Sequence, residues 1–319
     1  MDRILETVAA HSDFLLVAHQ DADADSLGSV LAFADCLGAM GKRAYPWAPD
    51  PVPRSLDYLP GYEAVNREPA PAEAVVLAFD AGSPGRFGNL RPRIEAAPLT
   101  VVIDHHASND GFGDISLVLP EKAATGAIVF EMLRRWGTPV SAAAATNLYA
   151  AIFTDTGGFR HDNTTKEVLH LGAELADLGA DPAQVALKSY KSRPETTLRL
   201  QARVMSATRY ELDGKLIWSE VTQGMLRDAK AEMEESEGII DILQSLDTML
   251  CAILFKESPA ALVRVSVRTR GAIEAHQLVA HFGGGGHRRA AGAEVEGGLA
   301  AVEERVLAEA RRSVRAART

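Results

Sequence analysis

Four apolar runs recur along the first half of the chain, separated by helical or loop-like stretches. They are FLLVAH at 14–19, AVVLAFD at 74–80, LTVVIDHH at 99–106 and LYAAIFTD at 148–155. Short continuous apolar runs rich in branched side chains are typical of strands that are buried on both faces of a parallel sheet. The pattern therefore predicts an α/β domain in which all four runs are parallel strands.

Each of these runs ends in histidine or aspartate. Ligands of open α/β sheets bind outside the carboxyl ends of the strands, so the four polar endings are expected to meet at one edge of the sheet. The segment SLGSVLAFADCLGAMG at 26–41 follows the first run and has the character of a helix. Asp25 or Ser26 is its expected N-cap, and Gly41 its expected stop.

A different pattern follows a polar, helical stretch at 160–200. RYELDGKLIWSEV at 209–221 predicts a hairpin around Asp213 and Gly214, and TMLCAILFKE and ALVRVSVRTR predict strands. Helices are expected at GIIDILQSL and at the C-terminal end, where apolar residues have helical spacing. We therefore expect a parallel-sheet catalytic domain over 1–190, a linker over 191–205 and a smaller α+β domain over 206–319.

Composition narrows the class of protein. Of 319 residues, 47% are hydrophobic and 24% are charged, which favours a globular enzyme over a disordered or fibrous protein. The net charge of −10 argues against tracking along duplex nucleic acid, which needs an extended cationic surface. The N-terminus has no cleavable signal pattern, no run is long enough to span a membrane, and Cys36 and Cys251 form no disulfide framework. We expect a cytoplasmic protein.

The polar strand endings would form an anionic pocket unless a cation is bound there. A single aspartate after a strand is more often a cap or loop residue, but the sequence DHH at 104–106 directly after a buried run is hard to explain structurally. Imidazole and carboxylate together suit Mn²⁺, Fe²⁺, Co²⁺ or Zn²⁺. The candidate ligands exceed the needs of one ion, so we expect two ions about 3.5 to 4 Å apart. The candidates are His19, Asp23, Asp25, Asp80, His105 and Asp155.

These segments carry a resemblance to a known family. VAHQDADADSLGSV is similar to the H-x-x-P-D-x-D-x-x-G-S motif of the DHH phosphoesterases, with Ala22 in place of the usual proline. AFD, VIDHH and FTDTGGFRHDNTT resemble the second, third and fourth motifs. The segment at 263–295, which contains GGGGHRRAAG, resembles the substrate-binding DHH-associated domain of the NrnA-type oligoribonucleases and pAp phosphatases. The five ordered motifs cover nearly the full chain.

The resemblance implies roles for the candidate residues. One metal would be held by His19, Asp23 and Asp80, and the other by Asp25, Asp80, His105 and Asp155. Asp21 falls in a position that binds no metal, whereas Asp23 and Asp25 are expected to project to one side of an extended segment. Asp104 is expected to orient the metal-binding imidazoles, and His106 to stabilise or protonate the leaving oxygen. Two Mn²⁺ ions are expected, with Mg²⁺, Co²⁺ or Fe²⁺ as alternatives.

A basic segment at 264–289 is expected to bind substrate. It holds five arginines and three histidines against the single acid Glu274. Arg268 is the expected phosphate clamp because arginine bonds phosphate oxygens in pairs, whereas Arg288 and Arg289 could equally be surface charges. A glycine run can present N–H groups to an anion, particularly if a helix follows. The substrate residues are predicted to be Arg268, Gly283, Gly284, Gly285, Gly286 and His287, with Arg86 and Arg160 lining the cleft.

The resemblance also implies the activity and the partners. We expect a nanoRNase and pAp phosphatase that converts short RNA or linear dinucleotides to mononucleotides and 3′-phosphoadenosine 5′-phosphate (pAp) to AMP, and that forms a homodimer by analogy. The alternatives are a cyclic-di-AMP phosphodiesterase, a manganese-dependent pyrophosphatase, a RecJ-like exonuclease and a non-catalytic nucleotide-binding regulator. GGGGHRRAAG argues against the pyrophosphatase, and the complete set of candidate ligands argues against the regulator.

Overall fold

The computed structural model describes residues 1–109 and 111–317 of the chain. The chain divides into two compact units, Met1–Ser192 and Arg193–Thr319. Each unit contains its own sheet and its own hydrophobic core. The predicted fold class, a parallel-sheet α/β domain followed by a smaller α+β domain, is confirmed.

A parallel sheet organises the first unit, and within the described residues it has five strands. The strands are β1 (Asp13–Val17), β2 (Arg43–Trp47), β3 (Val75–Phe79), β4 (Thr100–Asp104) and β5 (Ile115–Val118). Their spatial order is β2-β1-β3-β4-β5. Every residue of β3 and β4 is buried, which explains why these strands read as unbroken apolar runs. Three of the four predicted strands, at 14–19, 74–80 and 99–106, are confirmed.

Helices surround this sheet. Those of the described part of the unit are α1 (Asp2–Ala10), α2 (Ala24–Ala39), α3 (Arg91–Glu95), α4 (Thr125–Trp136), α5 (Ala142–Asp155), α6 (Lys166–Asp177) and α7 (Pro182–Tyr190). Residues of α2, α4 and α5 share one core with the sheet. In that core the ring centroids of Phe33 and Phe79 are 5.5 Å apart. The start of α4 and the end of α5 lie near the strand ends, where Thr125 contacts Asp80 and Asp155 lies close to His105.

The fourth predicted strand, at 148–155, is wrong, because these residues form the second half of α5. The helix begins after Ser141, whose side chain accepts a hydrogen bond from the N–H of Ala144. It packs between α2, α4 and α6 and is therefore buried on nearly all sides. A helix buried in this way has no polar stripe, so its sequence cannot be distinguished by periodicity from a buried strand.

The second unit has a mixed sheet, which contains six strands among the described residues. They are β6 (Arg209–Glu211), β7 (Leu216–Val221), β8 (Cys251–Ser258), β9 (Leu262–Thr269), β10 (Gly285–Gly286) and β11 (Ala290–Glu296), in the order β10-β11-β9-β8-β7-β6. The helices are α8 (Glu195–Ser206), α9 (Gln223–Ala229), α10 (Ile239–Leu243), α11 (Ala275–Ala280) and α12 (Leu299–Ala316). The predicted hairpin, the two predicted strands and the two predicted helices are all present.

The range 191–205 was predicted to be a linker, but the structure has a helix there. It contains most of α8, which belongs to the second unit. The reason is amphipathic spacing, since Leu200 and Val204 of this helix are fully buried in a core with Leu226 and Leu254. Among the helices that the structure describes, none combines the length and the apolar character needed to cross a membrane.

Candidate active site

The ends of β1, β3 and β4 meet at one edge of the parallel sheet. His19 lies just beyond β1, and Asp80 directly follows β3. Asp104 is the last residue of β4, and His105 and His106 follow it. The backbone φ of Asp80 is 59°, in the left-handed region where aspartate and asparagine are enriched among non-glycine residues. This turn directs the Asp80 side chain to the edge where the histidines lie.

Asp23 and Asp25 occupy a helix start and not an extended segment. Asp23 is the N-cap of α2, and its Oδ1 accepts the N–H of Ser26 at 2.9 Å. Asp25 lies within the first helical turn and is buried. The expectations of an Asp25 or Ser26 N-cap and of two carboxylates on one side of a strand are therefore wrong. The bond from Ser26 to Asp23 places the N-cap two residues before the predicted Asp25. Asp23 faces His19, whereas Asp25 faces His105.

One group of ligand-type atoms forms around His19. Its Nε2 lies 3.4 Å from Asp80 Oδ2 and 3.8 Å from Asp23 Oδ1. Its Nδ1 lies 2.8 Å from the carbonyl oxygen of Gln20. An imidazole that donates Nδ1–H to a carbonyl turns the lone pair of Nε2 toward the carboxylates, as metal-binding histidines do.

A second group forms around His105. Its Nε2 lies 3.5 Å from Asp80 Oδ1, 3.7 Å from Asp25 Oδ2 and 3.6 Å from Asp155 Oδ2. Asp155 is the last residue of α5, and its side chain extends from the helix end to this group. The two oxygens of Asp80 thus face two separate groups.

Burial and neighbouring charges shift the pKa values of the carboxylates in this cluster. Burial, followed by repulsion from Asp80 and other neighbouring carboxylates, raises the pKa of Asp25 well above its usual range. Burial likewise raises the pKa of Asp155 to about 7, against partial compensation from His105. Burial would also raise the pKa of Asp80, but its contacts with His19, His105 and His106 outweigh burial and hold that pKa below the usual range. The carboxylates would therefore gain from a bound cation.

Asp104 organises His106 at the edge of the cluster. The fully buried Asp104 accepts the ring Nδ1–H of His106 at 2.7 Å and the backbone N–H groups of His105 and His106 through the same Oδ1. Burial lowers the pKa of His106, but the bond to Asp104 and the charge of Asp80 prevail and raise it to about 9. The ring of His105 instead contacts the carbonyl of Lys122 at 3.2 Å. Asp104 therefore orients one imidazole directly, not both.

Three residues that contact this cluster were missed by sequence reasoning. Asn109 donates to Asp104 Oδ2 at 2.7 Å, and Thr125 donates its hydroxyl to Asp80 Oδ1 at 2.9 Å. The third is Lys122, through its carbonyl. The position of Asn109 close behind DHH was a usable signal. No local signal connects Thr125 or Lys122 with strand ends elsewhere in the chain.

The two arginines predicted to line the cleft lie on the first unit near the motif-bearing loops. The guanidinium of Arg86 lies 3.1 Å from His19 Nδ1. That of Arg160 donates to the carbonyl of Gly157 and lies over the ring of Tyr190, 5.2 Å from its centroid. Both residues are exposed.

In the second unit, Arg268 lies on β9 and is a quarter exposed, with its Nε 3.4 Å from Asp241 Oδ1. Three other arginines of the basic segment make shorter contacts with acidic side chains or backbone carbonyls. Arg264 donates to Glu294 at 2.9 Å, and Arg288 lies 3.1 Å from Glu274. Arg289, which the sequence left open as a surface charge, donates to two backbone carbonyls of the loop that follows β9.

The glycine run forms a tight hairpin. Gly285 and Gly286 make up β10, which pairs with β11, so a strand pair and not a helix follows the run. A Cβ on Gly284 would lie 2.4 Å from the carbonyl oxygen of Gly292. The N–H groups of Gly283, Gly284 and His287 are bonded to backbone carbonyls. Close packing of the hairpin thus accounts for part of the run, and the helix that would have strengthened an anion site is not formed there.

Comparison with known proteins assigns the chain to a family. Residues 13–152 match the DHH family, N-terminal domain, and residues 213–316 match the DHHA1 domain. The bifunctional oligoribonuclease and PAP phosphatase NrnA of Thermus thermophilus is 34% identical over 302 residues, which are 94% of this chain and 89% of the relative. The chain belongs to the DHH family.

One further relative and one solved structure are also similar to this chain. The bifunctional oligoribonuclease and PAP phosphatase NrnA of Bacillus subtilis is 22% identical and covers 92% of each chain. The crystal structure of an exopolyphosphatase-related protein from Bacteroides fragilis is 24% identical, with a TM-score of 0.87 over 98% of this chain and 95% of that chain. The last comparison shows the same fold.

Phosphoesterases of the DHH family are metal-dependent hydrolases, and this DHH member has acidic and histidine groups that could bind metal. The donor atoms suit such ions. Nitrogen–oxygen distances of 3.4 to 3.8 Å in the two groups exceed a hydrogen bond. Two ligands that each lie about 2.1 Å from a tetrahedral ion are themselves roughly 3.4 Å apart. The spacing is therefore compatible with ligands around ions and longer than that of hydrogen-bonded ion pairs.

We predict that Asp155→Asn stabilises the metal-free protein. Because the folded pKa of Asp155 is raised to about 7 from 3.8, folding disfavours its charged form. At about 1.4 kcal/mol per pKa unit, the variant should gain up to about 4 kcal/mol in the free energy of unfolding at pH 8, and the gain should shrink as the pH falls from 7 to 4. Urea unfolding in EDTA measures this, with the exposed Asp177→Asn as control. A variant less stable than wild type at pH 8 would contradict the prediction.

Proposed function

We propose that the protein hydrolyses short oligoribonucleotides and linear dinucleotides to mononucleotides, and pAp to AMP, with divalent metal ions. The observation that carries the proposal is Asp80, whose two oxygens face the imidazoles of His19 and His105. A carboxylate in this position suits a pair of ions. The Thermus and Bacillus relatives, which are oligoribonucleases and PAP phosphatases by name, indicate the class of substrate.

The two groups of donor atoms correspond to two proposed Mn²⁺ positions. His19, Asp23 and Asp80 would hold one ion, and Asp25, Asp80, His105 and Asp155 the other. When bound, such a pair supplies Lewis-acid activation of a phosphoryl group and of water. Imidazole together with carboxylate favours Mn²⁺ over Ca²⁺.

The remaining chemistry is proposed for His106. Because Asp104 holds Nδ1 at 2.7 Å, we assign the role of proton donor toward the reacting group to the other ring nitrogen, Nε2. Transfer of that proton to the departing ribose oxygen would assist cleavage of the P–O bond. The anchor on Asp104 limits rotation of the ring, so the donor keeps one orientation.

Arg268 is the proposed nucleotide-binding residue of the second unit, together with His287 and Gly283, Gly284, Gly285 and Gly286. Arg86 and Arg160 are proposed to contact substrate phosphate from the first unit. The long contact between Arg268 and Asp241 leaves the guanidinium able to exchange that partner for phosphate, which it bonds with two parallel N–H groups.

We expect Arg268→Met to raise KM for the dinucleotide pApA by about 10- to 100-fold, the value of one or two charge-assisted hydrogen bonds. The value of kcat and the uptake of Mn²⁺ should change little. Steady-state kinetics measure this, and Arg288→Met is the matched control because Arg288 is largely exposed and paired with Glu274. A loss confined to kcat would contradict a binding role.

A competition assay tests the proposed function. The protein is incubated with Mn²⁺ and pApA, pAp, cyclic di-AMP, an RNA 5-mer or pyrophosphate, and kcat/KM is compared among them. We expect pApA and pAp to lead. A preference for pyrophosphate or for cyclic di-AMP would replace the proposal with that activity. Binding of nucleotide without hydrolysis of any substrate would indicate a regulator.

A further inference from the structure

Thr125 connects two carboxylates of the cluster through two different groups. It is fully buried at the start of α4. Its hydroxyl donates to Asp80 Oδ1 at 2.9 Å, and its backbone N–H donates to Asp25 Oδ2 at 2.8 Å. The N–H of Gly126 donates to the other oxygen of Asp25 at 2.8 Å. The start of α4 is therefore a common support for two acids that lie far apart in the sequence.

The backbone bonds to Asp25 have a structural explanation. The N-cap of α4 is Ala124, which has no side-chain acceptor for the N–H groups of the first turn. Asp25 supplies that acceptor from α2, and the positive end of the helix dipole stabilises its charge. These two bonds would be needed whether or not the site binds a ligand.

The hydroxyl bond to Asp80 is separate from helix capping. The branched side chain of threonine restricts rotation about χ1, so Thr125 holds its hydroxyl toward Asp80. Rotation of the Asp80 carboxylate about its own χ2 is otherwise soft. When Asp80 Oδ1 accepts the hydrogen bond from Thr125, the same oxygen faces His105, and Asp80 Oδ2 faces His19.

We propose that Thr125 is the positioning residue of this site, and that its hydroxyl fixes the rotation of the Asp80 carboxylate so that each oxygen serves one of the two metal positions. The inference rests on the proposed function. Without the hydroxyl, the carboxylate can turn and offer both oxygens to a single ion. One of the two ions then loses a ligand.

Titration calorimetry with Mn²⁺ tests this inference on Thr125→Val, which keeps the shape of the side chain, and on Thr125→Ser, which keeps the hydroxyl. We expect the valine variant to bind one of the two ions about 10- to 100-fold more weakly, as for other residues that orient metal ligands. Its kcat for pApA should fall by a similar factor, with KM within about threefold of wild type. The serine variant should recover most of both losses.

The matched control is Thr100→Val, a buried threonine of β4 whose hydroxyl donates to the carbonyl of Ile94. It should lower the melting temperature without changing Mn²⁺ uptake. If Thr125→Val does not fold, Thr125→Ala replaces it, and equal Mn²⁺ titrations of the alanine and serine variants would overturn the inference. The inference would also be overturned if wild type and Thr125→Val both bound two Mn²⁺ ions with the same affinities. A wild-type protein that takes up no divalent ion overturns the proposed function itself.

Discussion

Asp80→Asn is expected to remove metal-dependent hydrolysis and to leave the fold intact. Asparagine is tolerated at a φ of 59° as well as aspartate is, so the turn after β3 should be retained. The amide offers one oxygen where the carboxylate offers two, and the Asp80 position can no longer serve both groups. The variant loses one ligand oxygen and one negative charge that the two proposed metal positions would share. We expect this loss to cost several kcal/mol of transition-state stabilisation, so kcat/KM for pApA should fall by about 1000-fold or more.

The control for this variant is Asp21→Asn. Asp21 lies in the same acidic segment as the proposed ligands, and its φ of 54° is also left-handed, so the backbone demand is matched. We expect its kcat/KM to stay within about twofold of wild type, since one exposed charge contributes little. Calorimetry should show weaker Mn²⁺ uptake for Asp80→Asn alone. Because the lowered pKa of Asp80 means that its charge stabilises the metal-free fold, Asp80→Asn should melt below wild type, and both variants should remain folded at the assay temperature. Full activity of Asp80→Asn would exclude the proposed two-ion site.

His106→Asn is expected to slow hydrolysis of pApA by about 100- to 10,000-fold, the usual contribution of a general acid. Uptake of Mn²⁺ should be retained, because the proposed ligands are untouched. The loss should be much smaller with bis(p-nitrophenyl) phosphate. Its leaving group departs as a stable anion and needs no proton, whereas a ribose oxygen does. The comparison of kcat for the two substrates therefore isolates proton transfer from metal binding.

His170→Asn is the matched control, since His170 is an exposed residue of α6. It should leave both substrates unaffected. An equal loss of kcat for both substrates in His106→Asn would show that His106 acts by some means other than protonating the leaving group. In that case Asp104, which contacts the backbone N–H groups of His105 and His106, would matter chiefly for the shape of the loop.

Much of the fold followed from local patterns. Three buried runs were recognisable as strands because a strand that is covered on both faces is predominantly apolar. His19, Asp80 and His105 each follow such a run, and the carboxyl ends of neighbouring parallel strands share an edge. Their proximity therefore followed from the sequence alone. The hairpin at Asp213 and Gly214 was equally local, since turn residues between two strand patterns define it.

Other features depended on tertiary contacts. Asp155 was expected at a strand end, but it comes from a buried helix whose sequence has no polar stripe to reveal it. The partners of Asp25 and Asp80 at Thr125 are 100 and 45 positions away in the chain. The sequence determined which strands end in acids and imidazoles, because that information lies within each segment. Only the tertiary structure decided how those side chains are turned, because the groups that hold them belong to helices packed from distant parts of the chain.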